Sequence, residues 1–274
     1  MKGRATESPA PFTLAEALGQ LTKPAPPNEG PLAQWSKEEK RVWTEAKRQY
    51  SDDLSRQITK AVELSLRTHF PNTCSGEGVG TNAATAQGIK SIDVAFNIEG
   101  LFLGLGVSIK TVGLPEEDRG YGHNFKRVTE EWTTESVLYH RYMPVSILIG
   151  MLFLPADAAA DRSRASSLNH AVEKFRGFQG RTSIRDDFEL LEKIYVGLYE
   201  DSGAVRFVDV AHHLKPLEIP AGTKISTFEQ IKDDLVRLFR QRNPKLRVNG
   251  MPEVDDSGAV TAASPALDEA FSDE

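Results

Sequence analysis

The sequence predicts an α/β fold, a mixed central sheet flanked by helices. Three observations lead there. A capped, charge-rich helical stretch runs from Ser36 to about His69. Two apolar runs punctuated by glycine, 91–98 and 101–111, follow as strands and form a hairpin turning near Glu99-Gly100. A helical stretch at 127–142 then separates them from "VSILIGMLFL" at 145–154, ten residues between two prolines. That run is too short to span a bilayer and suits a buried strand.

The elements are justified in order. Thr13-x-x-Glu16 is a capping box, a Thr side chain and a Glu side chain each satisfying the other's backbone N–H, and starts a short helix over 13–21. "KPAPPNEGP" reads as an extended linker. Ser36-x-x-Glu39 is a second box and opens the long helix, which Pro71 ends. "NTCSGEGVGTNAATAQG" is a loop, as is "GLPEEDRGYGHN". After the 145–154 strand come a basic stretch at 162–185, a strand pair near 193–210 and a capped helix at 227–242. The organisation expected is a flexible N-terminal arm with a short helix (1–35), one α/β domain (36–248) and a disordered acidic tail (249–274).

Composition narrows the function classes. The 274 residues suffice for one large domain, and 39% hydrophobic with 26% charged residues is ordinary for a globular chain. The lone Cys74 excludes an internal disulfide framework and a Cys-based zinc site, which suits a cytoplasmic location. The opening "MKGRATESPAPF" has no apolar h-region, so neither a secretory leader nor a membrane partner is expected. The net charge of −6 argues at first against nucleic acid. Residues 251–274, however, hold seven acids and no Lys or Arg, which leaves the rest of the chain at +1.

The candidate chemistry sits in the predicted hairpin. Strand side chains alternate faces, so Leu101, Leu103, Leu105, Val107 and Ile109 form one apolar face while Phe102, Gly104, Gly106, Ser108 and Lys110 form the other. In the preceding strand Ile92, Val94 and Phe96 face one way, and Asp93, Ala95 and Asn97 the other. A two-residue loop sets Asp93 opposite Gly106 and a four-residue loop sets it opposite Ser108; either leaves it on the face of Ser108 and Lys110. Gly104 and Gly106 keep that face low, open to a ligand or metal. An acid and a lysine so placed suit phosphodiester cleavage, with a hard divalent cation held by the acid and the lysine orienting water or stabilising charge. The bland alternative is a structural ion pair between Asp93 and Lys110.

Asp93 in "SIDV" and Ser108-Ile109-Lys110 in "GVSIKT", fifteen and seventeen residues downstream of it, resemble the motif of the PD-(D/E)xK superfamily of restriction-endonuclease-like nucleases. Ile92 stands in place of the motif's proline, and Ser108 stands where a second acid is usual. The resemblance implies a restriction-endonuclease-like sheet, Mg2+ (or Mn2+) as cofactor, DNA as partner and a role in restriction or phage defence. It implies that Asp93 and a carboxylate of the following helix hold the metal, Glu135 first and Glu131 second among Glu130, Glu131 and Glu135. Glu63 on the long helix matches an additional metal-site acid, and Ser108 adds a weaker hydrogen bond. Lys126, Arg127, Arg141, Arg176 and Arg181 are the expected DNA contacts, and His140 is either a buried, satisfied histidine or a base. A homodimer and a defence-system partner protein are further expected partners. The rival reading is a catalytically silent nuclease-fold module that binds DNA or a partner protein.

Other chemistries lack their patterns. "SGEGVG" has no following Gly-Lys-Ser/Thr, "GLGVS" no GxGxxG, "GVSIK" no second glycine for a hydrolase elbow, and the six histidines form no HExxH.

Overall fold

The computed structural model describes residues 13–28, 32–75, 83–85, 88–90, 92–98, 102–115, 120–162, 165–211 and 225–261. In chain order the helices and strands are α1 (Leu14–Gly19), α2 (Lys37–Leu66), β1 (Thr73–Ser75), β2 (Ala83–Thr85), β3 (Gly88–Lys90), β4 (Val94–Ile98) and β5 (Phe102–Thr111). They continue as α3 (Phe125–Tyr142), β6 (Ile147–Pro155), α4 (Ser167–Phe175), β7 (Lys193–Tyr199), β8 (Val205–Asp209) and β9 (Ile225–Ser226). The described chain closes with α5 (Phe228–Arg242), β10 (Glu253–Val254) and β11 (Val260–Thr261).

One seven-stranded mixed sheet runs β1-β4-β5-β6-β7-β8-β9. The pairs β5–β6 and β6–β7 are parallel, and the others antiparallel. Parallel neighbours need a crossover, and α3 supplies the one between β5 and β6. All nine residues of β6 are buried, as a central strand covered on both faces requires. The sheet separates two apolar layers. Tyr50, Leu54, Ile58, Val62 and Leu66 of α2 recur at four-residue steps and pack on Val94, Leu105, Val107 and Ile109, with Phe239 of α5 beside them. Trp132 and Tyr139 of α3, with Phe175 of α4, cover Leu148, Leu152 and Val196 on the other face.

All three predicted caps at Thr13, Ser36 and Thr227 close as capping boxes. The hairpin differs from strict alternation. Phe96 lies opposite Leu105 but Asn97 lies opposite Leu103, so Gly104 is an extra residue, a β-bulge. The bulge rotates the chain, and Leu103 packs with the α3 layer while Leu105, Val107 and Ile109 pack with the α2 layer. Ile92, just ahead of β4, also joins the α3 layer and not the layer of Val94 and Phe96. The two glycines are covered by side chains. A Cβ at Gly104 would lie 2.9 Å from the Phe96 ring and 3.1 Å from that of Phe239, and one at Gly106 would meet Ile92 and Leu148. They make room for packing on opposite faces, so the expected open approach for a ligand is absent there.

Both ends of the described chain are more ordered than expected. Leu14, Ala17 and Leu18 of α1 are buried against the α2 layer, so this part of the N-terminal arm is docked. Residues 251–261 belong to the domain and not to a disordered tail. The hairpin of β10 and β11 lies on α5, Met251 is buried, and Arg240 donates to Pro252 O at 3.0 Å. Residues 262–274 and the predicted turn at Glu99-Gly100 lie outside the described residues. Within the basic stretch 162–185, α4 buries Leu168, Ala171, Val172 and Phe175.

Candidate functional site

Because Val107 and Ile109 enter the α2 layer, Ser108 and Lys110 face α3. The Val94–Val107 pair sets Asp93, one residue before β4, beside Ser108. Asp93 has left the ladder, and its Oδ2 accepts the Ile109 N–H at 2.6 Å. Glu131 and Glu135, four residues apart on α3, present one face to the strand. The Lys110 ammonium reaches Glu131 Oε2 at 3.1 Å and Glu135 Oε1 at 3.2 Å. A strand lysine is thus held between two helical carboxylates, with a third carboxylate, Asp93, at the start of the neighbouring strand.

Burial shapes the charge states. It pushes the Asp93 carboxyl above its ordinary value, with Glu135 and Glu131 adding to that and Lys110 and the Ile109 N–H opposing it. Burial alone would pull the Lys110 ammonium down, but Glu135, Asp93 and Glu131 together raise it, so it stays charged. The Tyr139 phenol, one turn beyond Glu135, is pushed up to about 12 by burial, then by Glu135 and Asp93, and remains neutral. Ser108 is 2% exposed, and its Oγ has no hydrogen-bond partner among the described residues.

Two carboxylates on the Lys110 ammonium, with the Asp93 carboxylate and the buried Ser108 hydroxyl nearby on the two strands, are oxygen donors of the kind Mg2+ takes. The buried Ser108 Oγ, lacking a protein partner, fits the same chemistry. Asp93, Glu131, Glu135 and Ser108 are the side chains from which ligands for such an ion could be drawn. Among the described residues, however, no three His, Cys, Asp or Glu side chains are gathered as a preformed metal cluster.

The remaining predicted residues separate from this cluster. Glu63 belongs to α2, on the opposite face of the sheet. It is 2% exposed and is engaged by Lys60 at 2.9 Å, by Arg67 and by the Ser75 hydroxyl. Glu130 is exposed, 3.8 Å from Lys126. Lys126, Arg127 and Arg141 are exposed on α3, and Arg127 lies 3.7 Å from Glu131. Arg176 is half-buried, its Nε donating to Val210 O at 3.5 Å.

Arg181 cannot touch DNA, being 1% exposed. Its Nη1 donates to Glu192 Oε1 at 2.8 Å and its Nη2 to Pro144 O at 3.0 Å. Glu192 also accepts the Leu148 N–H at 2.8 Å and lies 3.3 Å from His140 Nε2 and 3.2 Å from Arg242. Burial alone would raise the Glu192 carboxyl, yet His140, the Leu148 N–H and Arg181 bring it below its ordinary value. His140 Nδ1 is 3.2 Å from Ser136 Oγ, so Ser136, His140 and Glu192 line up as in a nucleophilic triad. All three are buried and Ser136 Oγ donates to Leu190 O at 2.9 Å, so the line is a structural network closed to substrate. It is carried by long-range contacts that no local sequence pattern announced.

No helix among the described residues is long and apolar enough to cross a membrane. A scan against protein-family models finds no match to the chain, and neither comparison with curated proteins nor comparison with solved structures finds one.

Proposed function

We propose that the chain is a metal-dependent endonuclease of restriction-endonuclease-like type that hydrolyses DNA phosphodiester bonds, in restriction or phage defence. The observation that carries the reading is the Lys110 ammonium between Glu131 and Glu135, with Asp93 alongside, at the end of a strand that a helix links to its parallel neighbour. Within the main sheet, the order helix, three antiparallel strands (β1, β4, β5), helix, parallel strand also supports it. Asp93, Glu131, Glu135 and Ser108 would hold a magnesium ion, which when bound supplies Lewis acidity at the phosphoryl oxygens. Lys110, charged at neutral pH, orients the attacking water and stabilises the charge that develops on the phosphate. The Ile109 N–H holds one Asp93 oxygen and leaves the other for the site. Lys126, Arg127 and Arg141, exposed on the same helix as the two glutamates, suit contacts with the flanking backbone phosphates.

A second reading, a nuclease-fold module without catalysis, is favoured by one observation: both glutamates already neutralise Lys110, and no three-ligand metal cluster is preformed among the described residues. Incubating plasmid and phage DNA with the purified protein in Mg2+, Mn2+ or EDTA, beside Lys110→Ala, separates the two. Metal-dependent cleavage lost in the variant is expected. Binding of DNA without cleavage in either metal selects the second reading.

A further inference from the structure

A cleft outside the acid cluster shares only Arg127 with the reading above. It opens where β5 ends, between the N-terminal half of α2 and the start of α3, and encloses about 290 Å³. That is the lower end of small-molecule sites, which begin at roughly 300 Å³. Among the described residues its charged lining is basic: Lys47 and Arg48 from α2 and Arg127 from α3, with His123 beside them. No acid of those residues lines it.

The local electrostatics are unbalanced. The start of α3 carries the positive end of the helix dipole, where acids are favoured. Its first turn instead has no acid, holds Lys126 and Arg127, and the N-cap Asn124 makes no side-chain capping bond. Arg127 is 3.7 Å from Glu131 and Arg48 pairs with the exposed Glu45 and Asp52, so both cations are partly neutralised from outside the cleft. Lys47 lies over the Trp43 ring, 5.6 Å from its centre, and has no ion pair among the described residues. An anion in the cleft would meet three cations, the Ser51 and Thr111 hydroxyls and the start of a helix. It would offset the repulsion among them.

We infer that this cleft is a binding site for a phosphate group, carried either by a free small molecule such as a nucleotide or by the nucleic-acid backbone. Arg127 joins it to the acid cluster through Glu131 and Lys110, so a phosphate held here would sit beside a strand cleaved there. Only the backbone source rests on the nuclease reading; binding of phosphate as such does not.

The test is calorimetric titration of the full chain with inorganic phosphate, a nucleoside monophosphate and a short oligonucleotide, in EDTA to prevent cleavage. Lys47→Glu, and Ser51→Glu, which places a carboxylate in the cleft without removing a cation, are titrated in parallel after a melting curve shows that they fold. Wild-type binding that weakens about tenfold or more in both variants is expected, from the loss of one charge-assisted contact in Lys47→Glu and from repulsion by the new carboxylate in Ser51→Glu. Binding of the two small phosphates assigns a free ligand, and binding of the oligonucleotide alone assigns a backbone phosphate; either supports the site. No binding of any probe, or binding unchanged in both variants, overturns it. Lys110→Ala separates the two ideas: phosphate binding kept while cleavage is lost supports the pocket, and wild-type protein that binds phosphate but cleaves nothing removes the nuclease reading alone.

Discussion

The carboxylate of Glu135 on α3 accepts a 3.2 Å hydrogen bond from the ammonium of Lys110 on β5, across twenty-five residues of sequence. The contact ties the crossover helix to the strand it follows. It also sets two demands against each other, since a lysine fully satisfied by glutamates is stable, whereas a lysine working on a phosphate must keep donors available.

Removal of the lysine should expose that tension. Lys110→Met leaves Glu135 buried without its cation and is expected to lower stability by about 2 kcal/mol, below the usual loss for a buried pair because Glu131 is a third exposed. Adding Glu135→Gln should recover most of it while cleavage stays absent. Urea denaturation of the two variants, with the plasmid assay, measures both. Equal losses in the single and the double variant would mean that the contact carries no stability.

Asp93 should make the fold less stable as pH rises. Its carboxyl is raised above the ordinary 3.8, burial being the main cause. Between 3.8 and the raised value the folded chain holds more proton than the unfolded one, so stability falls through that window and the loss persists at pH 7. Asp93→Asn keeps an oxygen for the Ile109 N–H and removes the charge. It should be more stable than wild type at pH 7, with the gap closing below pH 3.8, and inactive. Denaturation midpoints at both pH values test this; a gap that widens on acidification would contradict it.

Arg181 is expected to matter for folding and not for DNA. Arg181→Met leaves Glu192 fully buried with a cation removed, a loss of roughly 3–5 kcal/mol. Thermal melting should show a large fall, whereas exposed Arg141→Ala should melt like wild type. A DNA affinity that drops in Arg181→Met protein still folded at low temperature would show a direct contact after all.

Gly104→Ala tests the bulge. The added methyl meets the Phe96 and Phe239 rings, which are packed against Phe70 and cannot yield as a flexible side-chain tip would. A loss of about 1–3 kcal/mol is expected from overpacking, read from the urea midpoint. A neutral result would mean that the two rings give way and that nothing demands glycine here, since Gly104 does not hold a positive φ.

Much of this architecture was legible locally. Ser36 with Glu39, Thr227 with Gln230 and the ten-residue apolar run each announce themselves within one turn or one strand, because capping and periodicity depend on near neighbours. Strand alternation placed Asp93 and Lys110 on one face, and helical spacing placed Glu131 and Glu135 on another. That the two faces belong together came only from the resemblance to the nuclease motif, and their contact only from the structure. Three outcomes were not legible. The bulge at Gly104 sends Leu103 to the other layer, Glu63 lies across the sheet among Lys60, Arg67 and Ser75, and Arg181 is internal although it sits in a basic run.

The sequence by itself determined the helix starts, the central strand and which residue types stand at the end of β5. The tertiary structure alone decided which charges meet. Whether an arginine is a surface contact or the buried partner of Glu192, and whether residues 251–261 are loose or laid on α5, depends on contacts between segments far apart in the chain. Those contacts exist only once the two apolar layers have closed on the sheet, and no local pattern of residues encodes their distance.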